Sequence, residues 1–170
     1  MKKKIVSIKG VSGTGKSTTI KLAYQMFLER LGCVPISYDA KYEAYQYSRG
    51  WDKDFMDFTA VVTVCDYQVV FHSPGDHGYF VNLVDKFRSD SCLIIICATR
   101  TKGSSIDELN NIAKDGYTPE YITKTSANDI ENENIAKQLL KKISDTFRNN
   151  EINGLFNRRA ELVNKMLNDL

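Results

Sequence analysis

The residues best suited to chemistry lie near the start of the chain, in Gly10-Val11-Ser12-Gly13-Thr14-Gly15-Lys16-Ser17, a G-x-x-x-x-G-K-S pattern. Glycines at 10, 13 and 15 let backbone N–H groups turn inward around a polyphosphate, where a β-carbon would obstruct. Lys16 sets a cation against the outer phosphates, and the Ser17 hydroxyl is a ligand for Mg²⁺ that bridges phosphate oxygens. Candidate phosphate contacts are therefore Gly10, Ser12, Gly13, Thr14, Gly15, Lys16, Ser17 and Thr18. The flanks distinguish this stretch from a chance glycine-rich turn. The apolar run Ile5-Val6-Ser7-Ile8 predicts a strand before it, and residues 18–31 predict a helix behind it. That helix carries Ile20, Leu22, Ala23, Met26, Phe27, Leu28 and Leu31 mostly on one face, and Gly32 stops it. A helix start directly behind the loop adds unpaired N–H groups and a dipole favourable to an anion. The chemistry predicted is binding of a nucleoside triphosphate.

Other candidates depend on the elements that would carry them. Val34-Pro35-Ile36-Ser37-Tyr38 reads as a second strand ending in Asp39. Ligands of open α/β sheets sit beyond the carboxyl ends of the strands, so Asp39 is either a substrate or Mg²⁺ contact or a turn-capping residue. From Tyr38 to Trp51 aromatics alternate with cations, among them Tyr42 and Arg49. Such a stretch can stack a base and hold an anion, which makes it the candidate for acceptor-substrate contacts or a mobile lid, or it simply covers a sheet edge with tyrosines. The runs 58–64 and 67–71 are rich in β-branched and aromatic residues, with only Cys65-Asp66 between them. They read as a tight hairpin, about residues 58–72, with a helix followed by one strand as the alternative.

A loop starts at His72 and includes Asp76, the acid available there to bind Mg²⁺ or orient a water. His72 and His77 are either hydrogen-bonded loop residues or weak metal candidates. Residues 79–88 predict a helix. Cys92-Leu93-Ile94-Ile95-Ile96-Cys97 is a continuous apolar run, as in a central parallel strand covered on both faces. It delivers Arg100 to the ligand side, where a guanidinium can neutralise phosphate charge, unless it is only part of a solvated basic loop. Residues 104–114 predict a further helix, residues 119–125 a last strand, and Asn128 or Asp129 the cap of a long helix through Phe147. A final amphipathic helix follows Asn149-Asn150 and packs on its own domain or forms a dimer contact.

Composition narrows the class. The 170 residues suit one domain with a sizeable core, spanning residues 1–170 without linker or repeat. A formal net charge of +2 is too small to argue for nucleic acid or a membrane surface. No segment has the roughly eighteen apolar residues of a membrane span. Lys2-Lys3-Lys4 precedes an apolar stretch that ends at Gly10, which reads as a strand and not a signal peptide. Cys33, Cys65, Cys92 and Cys97 lack paired C-x-x-C spacing and read as buried thiols of a cytoplasmic protein.

Over about residues 4–31 the chain resembles the P-loop NTPase superfamily. Val11-Ser12-Gly13-Thr14 is similar to the G-V-S-G-x-G-K-S-T loop of small-molecule kinases of the gluconate kinase type. This implies an α/β fold of three layers, with a mostly parallel sheet of five or six strands and helices on both faces. It also implies ATP with Mg²⁺ and transfer of the terminal phosphoryl group to a small acceptor. By the resemblance Lys16 would stabilise the transferring phosphate and Ser17 would hold the metal; Arg100 and an acid at Asp76 or Asp39 are the assisting groups that the strand ends offer. A hairpin followed by Ser73-Pro74-Gly75 also resembles the D-x-x-G switch of GTPases, and Thr125-Ser126-Ala127 their S-A-K/L element. There His72 stands where the metal-linked aspartate would be, and Thr99-Arg100-Thr101-Lys102 replaces the guanine-reading N-K-x-D, which makes GTP the less favoured nucleotide. Three functions follow as expectations: a kinase-like phosphotransferase, a nucleotide-hydrolysing switch, or a nucleotide-binding module without turnover.

Overall fold

The computed structural model describes residues 1–11, 13–32, 41–48, 56–64, 67–74, 91–101, 107, 109–111 and 116–150. In chain order its elements are β1 (Lys3–Lys9), α1 (Lys16–Gly32), β2 (Lys41–Ser48), β3 (Met56–Val64), β4 (Tyr67–His72), β5 (Cys92–Thr99), β6 (Tyr117–Thr123) and α2 (Asp129–Asn149). The strands form one six-stranded sheet in the order β2-β3-β4-β5-β1-β6. β4, β5, β1 and β6 run parallel, whereas β2, β3 and β4 pair antiparallel. The architecture is α/β with a mostly parallel sheet.

β5 shows why the apolar run becomes an interior strand. All its residues are buried, with β4 on one side and β1 on the other. Ile94, Ile96 and Ala98 join Val6 and Ile8 of β1 beneath the helices, packing with Ile20, Ala23 and Phe27 of α1 and Ile135, Leu139, Ile143 and Phe147 of α2. The α2 residues recur at helical spacing, so one stripe of the helix meets the sheet. Phe27 and Phe147 anchor this layer, and truncating either to Ala costs about 3–5 kcal/mol. On the opposite face Ile95 and Cys97 pack with Ile5, Val70 and Leu109, the last from helical residues that follow β5. Helical residues thus lie on both faces.

The segments that follow β1 and β5 pack on opposite faces of the sheet. β1 leads into α1 on one face, while β5 leads to Leu109 on the other, and the two strands are neighbours. Adjacent parallel strands whose connections leave on opposite faces open a gap at their carboxyl ends, the usual ligand position in such sheets.

Several expectations are corrected. Residues 41–48 are not a lid but the edge strand of the sheet, paired with β3 from Lys41↔Thr63 to Ser48↔Met56. Tyrosine at 42, 45 and 47 suits a pleated ribbon, and the neighbouring hairpin supplies the partner. The last strand begins two residues earlier than predicted, because its register on β1 starts at Lys3↔Tyr117. Pro119 is tolerated there because β6 is an edge strand. His72 closes β4 and does not open a loop. The hairpin pairing itself is present. The predicted strand 34–38 with Asp39, the helix 79–88, the final helix after Asn150, and Ser12, Arg49, Asp76 and His77 lie outside the described residues.

Candidate functional site

The carboxyl ends of β4, β5, β1 and β6 lie level, since Lys9 is opposite both Thr99 and Thr123 and His72 is opposite Cys97. The segments leaving these ends therefore meet at one edge of the sheet. Gly10 leaves β1 flanked on both sides: its N–H donates to the Thr99 carbonyl at 3.4 Å, and the Lys124 N–H donates to the Lys9 carbonyl at 2.9 Å. A β-carbon on Gly10 would stand 2.7 Å from the Lys124 carbonyl oxygen and 2.8 Å from Thr14 Oγ1, so only glycine fits. Gly13 and Gly15 hold positive φ, 82° and 75°, the conformation that turns successive N–H groups to one side. Thr14 Oγ1 ties the loop to its own start by donating to the Val11 carbonyl at 2.8 Å.

Lys16, the first residue of α1, curls back over this loop. Its ammonium donates to the carbonyls of Gly10 and Val11, the latter at 3.1 Å. The cation is therefore held against the loop's own backbone. The Thr19 N–H and hydroxyl both donate to the Gly15 carbonyl, at 2.9 and 2.8 Å, fixing the first turn of the helix on the loop. Thr18 is exposed beside it.

The rear wall comes from the far end of the chain and from residues that sequence reasoning missed. Lys124 is buried, and its Cε lies 3.4 Å from the position of a Gly15 β-carbon. Its ammonium donates to the Ser126 carbonyl at 2.6 Å, and burial pushes its pKa below the ordinary lysine value. Asn132 Oδ1 stands 3.3 Å from the same Gly15 position and accepts from Thr19 Oγ1 at 3.2 Å. The turn that presents these groups is held by Glu131. Its carboxylate accepts from the Thr125 N–H at 2.7 Å, Thr125 Oγ1 at 3.1 Å and Ser126 Oγ at 2.7 Å. Asn128 caps α2 by accepting from the Glu131 N–H on its side-chain oxygen. The backbone hydrogen bond from Thr125, with Ser126 beside it, holds the Glu131 pKa down to about 2. The capping residues were legible as a helix start, but nothing local announced that the turn before them braces the glycine loop.

At the end of β4 the Ser17 hydroxyl donates to the Ser73 carbonyl at 3.4 Å. Ser73 extends the pairing with β3, donating its N–H to the Phe58 carbonyl and accepting the Phe58 N–H on its hydroxyl. His72 is buried, shares a 2.8 Å hydrogen bond with Thr59, and is pushed down to about 3 by burial. A neutral histidine thus precedes this corner of the site. Arg100 is exposed immediately after Thr99, the residue whose carbonyl receives Gly10. The buried thiols Cys92 and Cys97 are raised to about 11 and about 12, which removes them as nucleophiles.

The chain matches no protein-family model, no curated protein and no solved structure.

Of the predicted site residues, the structure brings Gly10, Gly13, Thr14, Gly15, Lys16, Ser17 and Thr18 together and places Arg100 at the same sheet edge. Tyr42 lies on β2, beyond β3, β4 and β5 from the glycine loop. Among the described residues no cluster of histidine, cysteine or acidic groups has the makings of a self-sufficient metal site. Of the residues named for Mg²⁺, Ser17 is described, and its hydroxyl lies in the first turn of α1. The arrangement fits a polyphosphate: a loop with glycines at positive φ, a lysine ammonium held against it, and a helix start behind it.

Proposed function

We propose that this chain binds a nucleoside triphosphate, ATP in preference to GTP, with Mg²⁺, and transfers its terminal phosphoryl group to a small acceptor. The observation that carries the reading is Lys16, whose ammonium lies across a glycine loop too tightly enclosed at Gly10 for any side chain. Bound nucleotide would supply the transferable phosphoryl group, and Mg²⁺ would draw off its developing charge. Loop N–H groups and Lys16 would hold the outer phosphates, with the ammonium exchanging the Gly10 and Val11 carbonyls for phosphate oxygens. Ser17 would hold the metal, and Arg100, at the neighbouring strand end, would approach the transferring group. Catalysis of this kind is positioning and charge stabilisation.

A second reading is nucleotide hydrolysis in a switch protein. It is favoured by the Ser17–Ser73 contact, which joins the proposed metal ligand to the end of β4. Occupation of the metal position would then be felt at Ser73 and beyond.

γ-Labelled ATP, and separately GTP, incubated with Mg²⁺ and a panel of nucleosides, nucleotides and sugars, tests both. Label on an organic acceptor establishes the kinase and its substrate class. Label found only in free phosphate assigns the chain to hydrolysis, and tight binding without release leaves a binding module.

A further inference from the structure

We propose that the groove between α1 and α2 seats the nucleoside half of the bound nucleotide, an assignment that rests on the nucleotide reading above. α1 and α2 follow the parallel neighbours β1 and β6, so both helices start at the same sheet edge and run back in the same direction. Between them lies a groove of about 540 Å³, within the range of small-ligand sites, about 300–1,000 Å³. Two of its lining residues adjoin the glycine loop. Thr18, next to Ser17, lines it, and so does Asn132, whose side-chain oxygen stands against Gly15 and accepts from Thr19.

The lining has the chemistry of a nucleoside site. Leu22 and Met26, one turn apart on α1, offer an apolar strip for the face of a base. Asp129 and Glu133, one turn apart on α2, offer carboxylates to accept from ribose hydroxyls and from an exocyclic amino group, although Glu133 is shared with Lys137 at 3.0 Å. A flat apolar ring with donor edges, tethered to an anion at the loop, satisfies both sides. A bare polyphosphate would leave the groove empty.

Titration calorimetry on the full chain with ATP and with inorganic tripolyphosphate separates the groove from the loop. The wild type binds ATP at least about tenfold more tightly than tripolyphosphate. Gln25 lines the groove and is exposed, so Gln25→Trp fills the space without touching the core. It removes the ATP advantage and leaves tripolyphosphate affinity unchanged. Glu133→Trp, also exposed, does the same from the α2 side. Equal wild-type affinity for the two ligands overturns the assignment while sparing the phosphate reading, as does a full ATP advantage in both variants. Loss of both ligands in both variants also overturns it, since the groove would then only support the loop. A wild type that binds neither ligand overturns the nucleotide reading and this assignment with it.

Discussion

The carbonyl oxygen of Lys124 stands 2.7 Å from where a β-carbon on Gly10 would lie, so the end of β6 closes directly on the start of the glycine loop. The contact is backbone against backbone, and no rotamer change relieves it. Gly10→Ala therefore forces β1 and β6 apart at their carboxyl ends. The expected cost is about 1–3 kcal/mol in urea denaturation, the range for overpacking, with triphosphate affinity falling in parallel. An alanine variant with unchanged stability and binding would contradict the packing described.

The Lys16 ammonium donates to the loop carbonyls of Gly10 and Val11, and its position favours an incoming anion. Lys16→Ala is expected to weaken ATP binding about a hundredfold, or ~2.7 kcal/mol, with little change in melting temperature. Calorimetry with ATP and a thermal melt in parallel check both halves. Intact ATP affinity in this variant removes the proposed role.

His72 supplies a pH dependence whose direction follows from its burial. Its folded pKa, about 3, lies below the unfolded value of 6.5, so the neutral ring's contribution is fully present above pH 6.5 and is lost as pH falls toward 3. Unfolding takes up close to one proton between pH 6 and 5, a slope approaching 1.4 kcal/mol per pH unit at about its steepest. Urea melts at several pH values measure the slope. His72→Gln, which keeps a polar partner for Thr59, is expected to flatten it; an unchanged slope would place the titration elsewhere.

Glu131 acts in a lower window. Its carboxylate holds Thr125 and Ser126, and its folded pKa of about 2 lies below the ordinary 4.5. The contribution is present above pH 4.5 and is lost as pH falls toward 2. Glu131→Gln is expected to lower the urea midpoint at pH 7 by an amount that shrinks on acidification through that window. It is also expected to weaken triphosphate binding, because the turn it holds carries Lys124 against Gly15. If binding is untouched while stability falls, the turn braces α2 alone.

Several elements were determined by the sequence through local chemistry. The strand, glycine loop and helix of residues 3–32 follow from one apolar run, glycines where φ is positive, and an amphipathic continuation. The buried strand β5 and the cap at Asn128 were legible for the same reason, since each depends on neighbours in sequence. Only the tertiary structure decided what surrounds the loop. That β5 and β6 flank β1, that Lys41–Ser48 pairs with the hairpin as an edge strand, and that Lys124 and Asn132 wall the glycine loop all depend on strand order. Strand order is set by which apolar faces bury together across the whole sheet, a long-range balance that no short window of residues records. Lys124 in particular is a buried wall because β6 ends beside β1.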